Sequence, residues 1–189
     1  MQKNRSFFSV TTLVYMALFT ALHIVLTRVL VIDLGSYRIS VGTVATIMAG
    51  LWLGPVAGGT VGLVSDILGC FIRGYAVNPF ITVAAILWGV IPALARPMMA
   101  KYGRKGKTAV LCASIAVTAV FSTLIITTAG LVLLLGYNFY AIMPGRLVQF
   151  AMLTPIYCVL SCLLYFSPLT ALVTGNTAVS RKGLQKTTV

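Results

Sequence analysis

In a chain of 189 residues, Asp33 and Asp66 are the only acidic side chains against fourteen Lys and Arg, while 59% of the residues are hydrophobic and 8% are charged. Soluble domains carry about a quarter charged residues, so this composition belongs to a protein whose exterior faces lipid. The net charge of +12 then reflects membrane topology, and no nucleic-acid partner is expected.

A helix that crosses the hydrocarbon core needs about 20 mostly apolar residues, and six stretches qualify as spans. The first runs from about Ser6 to Ile32 and the second from about Val41 to Gly54. The third, Pro55 to Ile72, is divided from the second only by Gly54-Pro55, which predicts a tight turn. The fourth covers Pro79 to about Met99, the fifth Thr108 to about Leu135 and the sixth about Ile142 to Phe166. The predicted fold class is an all-α integral membrane protein of six transmembrane helices in a single domain, residues 1–189, with both termini cytoplasmic. The apolar run after Lys3 and Arg5 is longer than a signal-peptide core, and no small-x-small cleavage site follows, so it reads as a retained first helix.

With that topology, and leaving aside Arg96 near the cytoplasmic end of the fourth helix, nine cations fall inside (Lys3, Arg5, Lys101, Arg104, Lys105, Lys107, Arg181, Lys182, Lys186) and four outside (Arg28, Arg38, Arg73, Arg146). This asymmetry obeys the positive-inside rule, and the inner cluster suits anionic lipid headgroups. The expected location is a cell membrane, multi-pass, with the lipid bilayer itself as a partner.

Several chemistries lack their residues. No phosphate-cradling G-x-x-x-x-G-K-[ST] loop occurs, so any ATP-driven motor sits on another chain. One histidine, His23, and one membrane-embedded carboxylate, Asp66, do not make a protease or a metal centre; an enzyme, a metal site and a cofactor are not expected. Cys70, Cys112, Cys158 and Cys162 lie in apolar spans without C-x-x-C spacing and read as small hydrophobes. Asp66 and His23 read as hydrogen-bonded packing groups, because an unpaired charge within the bilayer is expensive.

The four outer arginines run against topological preference. Guanidinium forks match a carboxylate with two parallel hydrogen bonds, so Arg28, Arg38, Arg73 and Arg146 are candidate contacts for an anionic ligand, with snorkelling or pairing with Asp33 as the competing role. Tyr37, Tyr75 and Tyr137 are interleaved with them, and Asn78 follows in the Arg73–Pro79 loop. Such aromatics stack on a flat ring or form an interfacial belt. Ala17 and Ala21 share one face of the first helix, and Gly50/Gly54 and Gly58/Gly62 repeat the same four-residue spacing, which permits close helix approach.

The segments Leu26-Thr27-Arg28-Val29-Leu30, Arg38-Ile39-Ser40-Val41-Gly42, Met48-Ala49-Gly50-Leu51-Trp52-Leu53-Gly54-Pro55, Ser65-Asp66-Ile67-Leu68-Gly69 and Met143-Pro144-Gly145-Arg146-Leu147-Val148-Gln149 carry a resemblance. In order and spacing the chain resembles the substrate-binding S component of energy-coupling-factor vitamin transporters, most closely the folate branch. The resemblance implies a high-affinity vitamin site open to the outside, at the loops after the first, third and fifth helices. It implies an A-x-x-x-A face, here Ala17 and Ala21, that docks a transmembrane coupling subunit, and two cytoplasmic ATPase subunits that supply energy while the S component reorients in the membrane. Folate is the expected vitamin, its pterin on the aromatics and its carboxylates on Arg28, Arg38 or Arg146. Pantothenate or cobalamin, a stand-alone proton-coupled carrier and a structural membrane protein are the alternatives.

Overall fold

The computed structural model describes residues 9–29, 32–33, 38–74 and 76–175, of which 32, 33, 38 and 39 are described in their backbone only. Helix α1 (Val10–Ile24) continues into a π-helical turn (Val25–Val29). A two-residue β pair follows, β1 (Ile32–Asp33) antiparallel to β2 (Arg38–Ile39), with Asp33 opposite Arg38. Then come α2 (Thr43–Leu53), α3 (Pro55–Arg73), α4 (Pro79–Leu94) and the short α5 (Arg96–Ala100). Next, α6 (Arg104–Ala119), a second π segment (Val120–Thr127) and α7 (Thr128–Leu135) form one continuous rod. Helix α8 (Phe139–Tyr165) is followed by α9, described over residues 168–175.

Five helices among the described residues are long and apolar enough to cross a bilayer: Val10–Val29, Pro55–Arg73, Pro79–Ala100, Arg104–Leu135 and Phe139–Tyr165. The second expected span differs. Helix α2 has 11 residues, about 16 Å at the usual rise, roughly half of a hydrocarbon core. Its surroundings explain why this suffices, because every residue from Val44 to Leu53 is buried and α2 meets protein on all sides. A helix shielded from lipid need not match the bilayer thickness.

Backbone contact makes that burial possible. A Cβ at Gly50 would overlap the Gly89 carbonyl, one at Gly58 the Gly50 backbone, and one at Gly89 the Gly58 carbonyl, so α2, α3 and α4 touch main chain to main chain. Gly62 presses on the Ala85 carbonyl in the same way. The small residues predicted at 50, 58 and 62 therefore serve internal packing. Gly54 has another role: at φ 111° it forms the α2–α3 turn in a conformation open to glycine, and Pro55 starts α3 without needing an amide partner.

The core gathers around α2. Ile47, Met48 and Leu51 are essentially inaccessible, as are Leu111 and Ile115 of α6. Trp52 tilts against Phe19 of α1 at 5.6 Å and donates its indole N–H to Thr170 Oγ1 of α9 at 3.0 Å. The opposite, lipid-directed face of α1 carries Leu13, Val14, Ala17, Leu18, Ala21 and Leu22, all exposed. Ala17 and Ala21 thus face away from the bundle.

Candidate functional site

A cavity of about 200 Å³ opens among α1, α2, α4, the second π segment and α8. Its lining runs from His23 near the end of α1 and Thr43 at the start of α2 to Trp88 of α4 and Tyr157 of α8. Its lining divides into three chemical regions.

One region is aromatic. Trp88 of α4 meets Tyr157 of α8 edge to face at 5.4 Å, and both line the cavity. Tyr157 is fixed in turn, since its hydroxyl donates to the Ser40 carbonyl at 2.9 Å and lies 3.3 Å from Thr43 Oγ1. Ser40 Oγ donates to the Leu26 carbonyl at 2.9 Å, so the loop before α2 is pinned to both α8 and the first π turn. Tyr and Trp side chains held this way present rigid ring edges and faces to a ligand.

The second region is neutral and polar. His23 Nδ1 and Thr46 Oγ1 share a 2.8 Å hydrogen bond across α1 and α2 at the cavity wall. Ser122, Thr123 and Thr127 line the facing wall; Ser122 Oγ donates to the Ala84 carbonyl at 3.0 Å.

The third region is cationic. Arg146, half-buried on α8, lines the cavity and donates from Nη1 to Gln149 Oε1 at 2.9 Å, while its buried Nε has no hydrogen-bond partner. Buried donors are normally paired, so this guanidinium at the cavity wall keeps a donor that the described residues leave unmet.

The other expected site residues are distributed as follows. Arg28 lies over the Cα of Gly69, where any side chain would collide with its guanidinium, and its Nε is likewise buried without a partner. Arg73, exposed, donates from Nη2 to the Arg28 carbonyl, so these two arginines come together at the ends of the first π turn and α3. Asn78 caps α4 by accepting from the Phe80 amide at 3.0 Å and donates to the Gly130 carbonyl of α7 at 3.1 Å. Tyr137 is exposed at the α7–α8 turn. Tyr37, Tyr75 and the Arg38 side chain lie outside the described residues.

Asp66 accepts from Thr82 Oγ1 at 2.7 Å, the hydrogen-bonded packing arrangement its burial requires. Cys112 and Cys162 approach to 3.9 Å between sulfurs, and none of the four cysteines is in a disulfide.

Sequence reasoning missed Thr46, Trp88, Ser122, Thr127, Gln149 and Tyr157 as cavity residues, and assigned His23 to packing alone. Neutral polar side chains inside apolar runs carry no charge signal. The repeated hydroxyls Ser114, Thr118, Ser122, Thr123, Thr127 and Thr128 along one span were the available clue.

A family model described as "ECF-type riboflavin transporter, S component" matches residues 7–164. The folate transporter FolT of Clostridium novyi (strain NT) is 29% identical over 157 residues, which are 79% of this chain and 85% of that relative. Among solved structures, the crystal structure of FolT bound with folic acid superposes with a TM-score of 0.68 at 21% identity, over 82% of this chain and 92% of that one. At that identity the likeness establishes the fold: a helical membrane bundle of the same architecture. With the family model covering most of its length, the chain belongs to the ECF-type riboflavin transporter S-component family.

Proposed function

We propose that this protein is the vitamin-binding subunit of an energy-coupling-factor importer and that its vitamin is folate. The observation that carries the choice is Arg146, a cation on the cavity wall with a buried, unpartnered Nε. A carboxylate engages two N–H groups of a guanidinium in parallel, and folate carries carboxylates beyond a flat pterin. The ring enters beside Trp88 and Tyr157, and the acidic tail extends towards Arg146 and outward. The cavity, at about 200 Å³, is below the roughly 300–1,000 Å³ of sites that enclose a drug-sized molecule. A ring fits inside it and the tail stays at the rim, where Arg28, Arg38, Arg73, Tyr37, Tyr75, Asn78 and Tyr137 are the proposed surroundings. The folate-transporting relative supports this reading.

The family description supports a second one, riboflavin, also flat but without a carboxylate for Arg146. The two readings part on one variant. Arg146→Gln should weaken folate binding by about a hundredfold, the loss of a charged hydrogen-bonded pair, and leave riboflavin binding unchanged. Folate affinity equal to wild type in a folded Arg146→Gln protein would defeat the folate reading.

The remaining elements follow the family. The chain is a single membrane domain in which the buried α2 serves as the sixth transmembrane segment, both termini are cytoplasmic and the arginine-bearing end faces outward. Lys101, Arg104, Lys105 and Lys107, at the opposite end, support that orientation. The exposed Ala17 and Ala21 of α1 dock a transmembrane coupling subunit, two cytoplasmic ATPases drive the cycle, and the subunit delivers its vitamin by reorienting in a bacterial plasma membrane without catalysing any reaction.

A further inference from the structure

The rod Arg104–Leu135 is α-helical at both ends and π-helical over Val120–Thr127. π-Helix is rare and concentrates at functional sites, and this one faces the cavity through Ser122, Thr123 and Thr127. The hydroxyls along the rod record the change of register. In the first part, Thr108 and Thr118 bond the carbonyl four residues back, Arg104 and Ser114. In the second, Thr127 donates to the Ser122 carbonyl at 2.7 Å and Thr128 to the Thr123 carbonyl at 3.2 Å, both five residues back.

The register decides which side chain meets the cavity. The wall begins with Ala119, Ser122 and Thr123; in an unbroken α-helix, at about 100° per residue, that stripe would continue with Ile126. Across the wider π turn it continues with Thr127 instead, and Ile126 does not line the cavity. Three further contacts hold this arrangement. Ser122 Oγ is tied to the Ala84 carbonyl of α4, Asn78 Nδ2 to the Gly130 carbonyl of α7, and Gly130 lies so close to Phe80 that a Cβ there would collide with it. A slip to α register would rotate α7 by one residue and break the Asn78–Gly130 contact.

We infer that the π register of Val120–Thr127 is a specificity device: it places the Thr127 hydroxyl, in place of the Ile126 side chain, on the cavity wall, and Thr128 is the positioning residue that holds it there. Thr128 is buried and does not line the cavity, so it acts through the Thr123 carbonyl alone. The wall so built offers a hydroxyl to a polar heterocycle rather than an aliphatic surface. The ligand part of this inference rests on the vitamin-binding reading; the register part does not.

The experiment has two arms. In a variant with all four native cysteines replaced by alanine, Ile126→Cys and Thr127→Cys, made singly, are exposed to a water-soluble methanethiosulfonate reagent without ligand. The expected result is labelling at 127 at least about tenfold faster than at 126, as for a position that lines the cavity against one that does not. Equal rates, or faster labelling at 126, would overturn the register inference whatever the protein binds. In the second arm, Thr128→Val is expected to weaken folate binding about tenfold, with Thr128→Ser restoring it and the unfolding temperature of the ligand-free protein moving little. Loss of thermal stability with unchanged affinity would mean that Thr128 only packs. Failure of the wild-type protein to bind folate would count against the proposed function and leave the labelling arm to decide the register.

Discussion

Thr82 donates its hydroxyl to the Asp66 carboxylate at 2.7 Å, and both residues are about 8% exposed. This bond joins α3 to α4 inside the membrane and satisfies the one acidic group among the membrane-embedded described residues. Removing the donor leaves a buried carboxylate oxygen without it, which costs about 1–3 kcal/mol. Thr82→Val should therefore lower the unfolding temperature of the detergent-solubilised protein, and Thr82→Ser should keep most of it. A Val variant that unfolds at the wild-type temperature would show that the bond contributes no stability.

The triple approach of Gly50, Gly58 and Gly89 leaves no room for a methyl group, because the obstructing atoms are backbone. Gly58→Ala should destabilise by about 1–3 kcal/mol through overpacking. Gly103→Ala is the comparison, since nothing lies within 4 Å of a Cβ there; as the N-cap of α6 it should lose less than about 1 kcal/mol. Parallel thermal melts of the two variants test the comparison, and equal behaviour would contradict main-chain contact between α2, α3 and α4.

Helix α9 lies beyond the stretch matched by the family model, which ends at residue 164. It is held through the Trp52–Thr170 bond and the buried Val173. Thr170→Val removes the acceptor of the Trp52 N–H, a loss of about 1 kcal/mol. Local opening of α9 should rise about fivefold as a result. Limited proteolysis between residues 168 and 175, followed by mass spectrometry, reads that opening; an unchanged cleavage rate would mean the bond does not hold the helix.

The fold was legible where hydrophobic length alone decides. Pro55–Arg73 and Arg104–Leu135 were recovered with ends shifted by a few residues, since a lipid-facing helix must be apolar over the whole bilayer. Helix α2 was read as a full span because burial in protein and burial in lipid select the same side chains; only the glycines at 50, 58 and 89 separate the two cases. At the site, Arg146 was visible because a charge in an apolar run demands a reason. Trp88 and Tyr157 were not, because an aromatic within a span has the same composition whether it faces lipid, core or ligand. The π register was invisible for a related reason: a Thr hydroxyl in a helix has the same composition whether it bonds the carbonyl four residues back, as Thr118 does, or five back, as Thr127 and Thr128 do.

Calorimetric titration of the purified wild-type chain, in detergent and without any partner subunit, with folate and riboflavin in turn decides which vitamin the cavity holds. Saturable folate binding is expected at one site per chain, with a dissociation constant well below about 1 μM, and riboflavin binding at least about tenfold weaker. No heat of binding with folate, or riboflavin bound more tightly than folate, would contradict the assignment of Arg146 and its cavity to a carboxylate-bearing vitamin.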